Sequence, residues 1–177
     1  LLFYIKDKPI EERWQITQDV SSLTHGHFVA CFACFIYLEY ARCLLKTSNK
    51  IQAYQLMQMT VLDFTQSQEF DTTHTALFDR ILKQSIHTFP ESSIKSDGYV
   101  LHTLEASLWC LLNYNNYSET VLASVNLGSD TDTTATVTGG LAGILYGETG
   151  IPMMWIAYLA RLDDILNLIE WVEKQLN

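Results

Sequence analysis

The sequence predicts an all-α fold, a compact multi-helix bundle. Apolar residues recur at i, i+3 and i+4 along most of its 177 residues. No apolar/polar alternation of useful strand length occurs, and no internal repeat is present. The length suits one domain spanning residues 1–177, with enough chain to bury a core.

The helices follow in order. Leu1 to Ile5 is apolar but short. Pro9, with Glu11 and Glu12 behind it, starts a helix whose acids sit near its positive end. Trp14, Ile16, Val20 and Leu23 carry its helical spacing. Thr24 or His25 starts the next helix, which runs through Phe28, Phe32, Phe35, Ile36 and Leu38 to about Lys46. It is apolar nearly all round and is expected at the centre. Asn49 to Gln66 is amphipathic. Asp71-Thr72-Thr73 reads as a cap, followed by Leu77, Phe78, Ile81 and Leu82 on one helix face. Phe89 to Gly98 is a loop, marked by Pro90 and an Asp-Gly pair. Tyr99 to Tyr114 is helical, and Ser118 is expected to cap a short helix carrying Val121 and Leu122. Pro152 opens a helix over Met153 to Leu159, and Leu162 to Leu176 forms the last.

Composition bounds the partners. A net charge of -9 with no basic patch argues against a nucleic-acid backbone. A phosphate-bearing ligand would need a cation or helix N-termini to offset that charge. Three of the four cysteines, Cys31, Cys34 and Cys43, lie in one apolar run. That pattern suits a reduced, cytoplasmic setting better than a disulfide framework. The longest uninterrupted apolar run, Phe28 to Leu38, is short of the roughly 20 residues a bilayer needs, so no membrane span is expected.

The chemistry concentrates in Leu127 to Gly147, LGSDTDTTATVTGGLAGILYG. Gly128-Ser129 makes a turn and Asp130 falls at an N-cap position. Asp130, Asp132 and Thr133 can converge on a hard divalent cation such as Mg²⁺ or Mn²⁺, filling half of an octahedron. The plainer reading is an acidic N-cap favoured by the helix dipole. An EF-hand is excluded, because Ala135 and Leu141 stand where glycine and glutamate would be required. A phosphatase-type aspartate motif would need a buried strand before it, and Asn126 to Ser129 is turn-like. Gly139, Gly143 and Gly147 at i, i+4 and i+8 form a bare ridge, expected where another helix packs closely.

Other candidates carry less. His25, His27, Cys31 and Cys34 are spaced as zinc ligands might be, but the cysteines sit among phenylalanines and read as buried structural residues. His102 and Glu105 can pair at i, i+3. His74 and His87 read as solvated. No serine or cysteine stands beside an evident base, so covalent catalysis is not indicated.

Asp130-Thr131-Asp132-Thr133, Gly139 to Gly143, Tyr146-Gly147, Ile151-Pro152 and Trp155 together resemble the C-terminal signature of the ADP-ribosylglycohydrolases. Ser21 to His27 and Gly98 to Cys110 agree, so the resemblance runs in order from about Pro9 to Asp164. It implies an all-helical hydrolase with two Mg²⁺ (or Mn²⁺) ions in a cleft, cleaving the bond at ADP-ribose C1″. The substrate would be an ADP-ribosylated protein or a small ADP-ribosyl compound, with no nucleic acid or membrane as partner. Asp130, Asp132 and Thr133 match metal ligands. His25 matches the histidine lining the ligand site, Gly98 and Tyr99 match a loop at the adenosine end, and Gly128 and Ser129 belong to the same ligand-binding turn.

The family also carries an N-terminal Thr-Asp-Asp metal motif and a nearby acidic residue. No such motif stands upstream here, and Asp163-Asp164 is the only adjacent aspartate pair. The chain therefore matches the C-terminal portion of such a domain, incomplete at its N-terminus, and its catalytic residue is unknown. Half a domain would leave an uncovered apolar face open to association. The alternative is a catalytically silent helical protein that keeps the fold for binding.

Overall fold

The computed structural model describes residues 1–176, and every regular element among them is helical. Helix α1 (Leu2–Ile5) leads into α2 (Ile10–Ser22), which starts after Pro9 with Glu11 and Glu12 in its first turn. Helix α3 (Phe28–Lys46) is the axis of the molecule and packs on α2 and on α4 (Lys50–Ser67). It also contacts α7 (Val100–Asn113) and α9 (Thr131–Tyr146). Between them lie α5 (Thr72–Thr75), α6 (Asp79–Leu82) and α8 (Tyr117–Asn126). The chain closes with α10 (Met153–Ala157) and α11 (Leu162–Leu176).

Aromatic rings fill the centre. Trp14 of α2 meets Phe35 of α3 edge-on at 5.5 Å, and Phe32 meets Phe78 at 5.0 Å. Helix α3 is apolar nearly all round and central, as expected, and carries one buried acid. Glu39 is wholly buried and takes Arg13 Nε at 2.5 Å, Arg13 Nη2 at 2.8 Å and Arg42 Nη2 at 2.9 Å. This forked ion triad fixes α2 on α3 and satisfies the buried charge. The whole of α3 has the length and hydropathy of a membrane span, contrary to the shorter run read from the sequence. Most of it is buried inside the fold, Glu39 included.

Several boundaries moved. His27, not Thr24 or His25, caps α3, its Nδ1 accepting from Val29 N at 3.2 Å. Asn116, not Ser118, caps α8 by accepting from Glu119 N at 2.8 Å. The face from Leu77 to Leu82 is split by a 3₁₀ turn at Ala76–Phe78, which lets Phe78 drop into the core. His102 does not pair with Glu105. Glu105 is buried and meets Arg80 Nη1 at 3.3 Å, while His102 turns to Asp97. His87 is not solvated: its Nδ1 is buried with no hydrogen-bond partner among the described residues.

The glycine ridge has a different meaning from the one expected. A Cβ on Gly140 would lie 2.5 Å from the Tyr37 hydroxyl of α3, so Gly140 is the glycine that the packing demands. Gly139 faces the Tyr117 hydroxyl, Gly143 faces open space, and Gly147 ends the helix at φ 71°. Past Pro152, apolar side chains stand in solvent, among them Met153, Tyr158, Leu168, Ile169 and Trp171. They form an apolar strip along α10 and α11, larger than isolated surface residues make.

Candidate cation and ligand site

The loop between α8 and α9 is bent by two successive left-handed residues, Gly128 at φ 81° and Ser129 at φ 56°. Such a backbone is costly for serine and persists only where neighbours hold it. Ser96 holds it: its hydroxyl donates to Gly128 O at 3.0 Å and lies 3.3 Å from Leu127 O, while Asp130 N donates to Ser96 O at 3.0 Å. Sequence reasoning passed over Ser96, because nothing local marks a serine that braces a loop 32 residues away.

Asp130 occupies the N-cap position of α9, yet its side chain makes no cap hydrogen bond. Its backbone carbonyl accepts instead from Thr134 N at 3.2 Å and Thr134 Oγ1 at 2.8 Å, starting the helix without the carboxylate. The acid therefore does not serve as an ordinary cap. Its Oδ2 lies over Gly98, 3.1 Å from where a Cβ would stand. Asp132 is drawn below the usual carboxylate range, first by a hydrogen bond with Asp130 and then by the backbone N–H of Thr133. Two neighbouring carboxylates of this kind are oxygen donors that a hard cation can take.

Of the threonines that follow, Thr134, Thr136 and Thr138 turn their hydroxyls back onto helix carbonyls at 2.7–2.8 Å. Thr133 instead lines a cavity of about 720 Å³ with His25, His27, Cys34, Gly98 and Tyr99. The expected site residues thus gather in one place: His25, Gly98, Tyr99 and Thr133 line the cavity, and Asp130 and Asp132 stand beside Thr133 at the start of α9. Gly128 and Ser129 shape the turn and are not part of the cavity wall. His25 is exposed, with Nδ1 3.1 Å from Thr24 Oγ1. Cys34 is exposed, not buried as expected. It stands where this cavity meets a second, apolar one of about 400 Å³ bounded by α2, α3, α7 and α9.

The donors are hard oxygens, suited to Mg²⁺ or Mn²⁺. They fit such an ion only in part, because among the described residues no group of three or more His, Cys, Asp or Glu side chains converges. The zinc spacing of His25, His27, Cys31 and Cys34 likewise brings no such group together.

An all-helical fold with an acidic loop-to-helix corner beside a ligand-sized cavity defines a helical protein with an oxygen-donor site at one helix start. The chain belongs to the ADP-ribosylglycohydrolase family, whose profile matches residues 1–177. ADP-ribosylarginine hydrolase Tri1 of Serratia proteamaculans (strain 568) is 44% identical over 77 residues, 44% of this chain and 21% of that protein. ADP-ribosylhydrolase ARH3 of Homo sapiens is 43% identical over 42 residues, 24% of this chain and 12% of that one. A solved structure described as an ADP-ribosylglycohydrolase-related protein complex shares the fold, with a TM-score of 0.74 at 24% identity. That match covers 92% of this chain and 52% of the other, so the chain spans about half the length of its structural relative.

Proposed function

We propose that this chain supplies the C-terminal portion of a metal-dependent hydrolase that removes ADP-ribosyl groups by cleaving the bond at ADP-ribose C1″. One observation carries the reading: the Asp130 carboxylate sits at a helix start without capping it, and lies beside Asp132 and Thr133 at the edge of a cavity. Family membership and the similarity to ADP-ribosylarginine hydrolase Tri1 support the substrate class. The substrate is an ADP-ribosylated side chain or a small ADP-ribosyl compound.

Asp130, Asp132 and Thr133 would hold a Mg²⁺ or Mn²⁺ ion, which when bound supplies charge neutralisation and a polarised water for hydrolysis. The chain's own residues do the placing. His25 and Tyr99 both line the cavity, and Gly98 leaves the Asp130 carboxylate room. The remaining ion ligands and the catalytic acid come, in this reading, from polypeptide outside these residues. The apolar strip on α10 and α11 is a surface for further polypeptide to cover. Free, largely buried cysteines suit a cytoplasmic setting.

The second reading is a catalytically silent helical protein, favoured by the lack of a three-residue ligand group among the described residues. Mass spectrometry of ADP-ribose released from an arginine-ADP-ribosylated peptide separates the two. The intact protein with Mg²⁺ is expected to release ADP-ribose, and chelation or Asp130→Asn to stop it. Intact protein that binds the peptide but releases nothing at any metal concentration supports the silent reading.

A further inference from the structure

We propose that His102, anchored by Asp97, is a positioning residue that fixes Tyr99 as an aromatic wall for a planar heteroaromatic ring in the cavity. This rests on the reading of that cavity as an ADP-ribosyl site. The Asp97 Oδ1 accepts from Tyr99 N at 3.0 Å and from His102 Nδ1 at 2.8 Å. A carboxylate only accepts, so Nδ1 carries the proton and the imidazole is locked in one tautomer and one plane. The locked ring meets Tyr99 edge-to-face, with centroids 5.0 Å apart at 81°. Such a pair is attractive beyond its buried area.

The two rings have different exposure. Tyr99 lines the cavity and is 44% exposed, whereas His102 stands behind it, outside the lining and only 22% exposed at its side chain. A tyrosine at a helix start would ordinarily sample several rotamers. Here Asp97 ties its backbone while His102 backs its ring. Ordering the ring in advance removes an entropy cost from stacking. The same loop carries Ser96, which holds Asp130 N, and Gly98, which lies against the Asp130 carboxylate. The wall and the cation corner are therefore parts of one braced segment.

The test is calorimetric titration of the intact protein, with Mn²⁺ present, using ADP-ribose and ribose 5-phosphate, which lacks the base. Tyr99→Ala is expected to weaken ADP-ribose about tenfold, the scale of base–aromatic stacking. His102→Ala is expected to weaken it at least threefold, and the double variant to be no weaker than Tyr99→Ala alone. Asp97→Asn, which keeps an acceptor oxygen, should recover most of the affinity lost in Asp97→Ala. Ribose 5-phosphate should bind all variants alike. Loss in Tyr99→Ala with none in His102→Ala overturns the brace and leaves the wall standing. No loss in either overturns the cavity reading as well. Equal loss of ribose 5-phosphate shows a merely structural role and overturns the proposal.

Discussion

The Asp130 carboxylate rests against the bare Cα of Gly98, with Oδ2 3.1 Å from the point a Cβ would occupy. The glycine that sequence reasoning placed at a ligand loop therefore also sets the position of the acid 32 residues further along. A methyl group there would push the carboxylate by a few tenths of an ångström. Gly98→Ala is expected to weaken Mn²⁺ binding about 10-fold, as loss of outer support around a metal does, with little change in melting temperature. Parallel calorimetry and thermal melts check it.

The Glu39 carboxylate holds two arginines in the core. Glu39→Ala strands both guanidinium groups, and the loss is expected to reach about 3–5 kcal/mol. A shifted midpoint in urea unfolding, with the slope unchanged, is the measurement.

Burial raises the Glu105 pKa, and Arg80 pulls it back. A carboxyl raised in the folded state binds its proton more readily there, so it favours folding at low pH. That favour is lost as pH rises from the unfolded value near ~4.3 through the folded one. Removing Arg80 raises the folded value further. Arg80→Met is expected to destabilise at pH 7 by roughly 1–3 kcal/mol, and the deficit should shrink below about pH 5 as Glu105 protonates. Thermal melts across that range decide it. A deficit that is constant with pH would trace to packing alone.

The Tyr37 hydroxyl bridges α3 and α9 by donating to Val137 O at 3.1 Å, directly over Gly140. Alanine at 140 gains about 1 kcal/mol of helix propensity but meets that hydroxyl, and overpacking costs about 1–3 kcal/mol. Gly140→Ala is expected to destabilise the natural protein and to be neutral or stabilising in a Tyr37→Phe background. A double-mutant cycle by denaturant unfolding reads the coupling.

The helices were legible because their signals are local. Pro9 with two glutamates, Asn49 and Asp71 each mark a start that the structure keeps. The acidic corner at the start of α9 was legible for the same reason, since Asp130, Asp132 and Thr133 lie within one turn. Illegible features depended on partners distant in sequence. Nothing local tells that Ser96 braces Gly128, that Glu39 holds Arg13, or that Gly140 and not Gly143 lies under a tyrosine. Between rival local signals the choice was made by packing. The His27 ring that caps α3 also lies 5.5 Å from the ring of His74, and His102 meets Asp97 while Glu105 turns inward to Arg80.

The central claim is that the first turn of α9 holds a divalent cation. Titrating Mn²⁺ into the intact protein beside its Asp130→Asn and Asp132→Asn variants tests it most directly. The account predicts saturable binding that both variants lose while keeping the melting temperature of the metal-free protein. Equal Mn²⁺ affinity in all three proteins would contradict it.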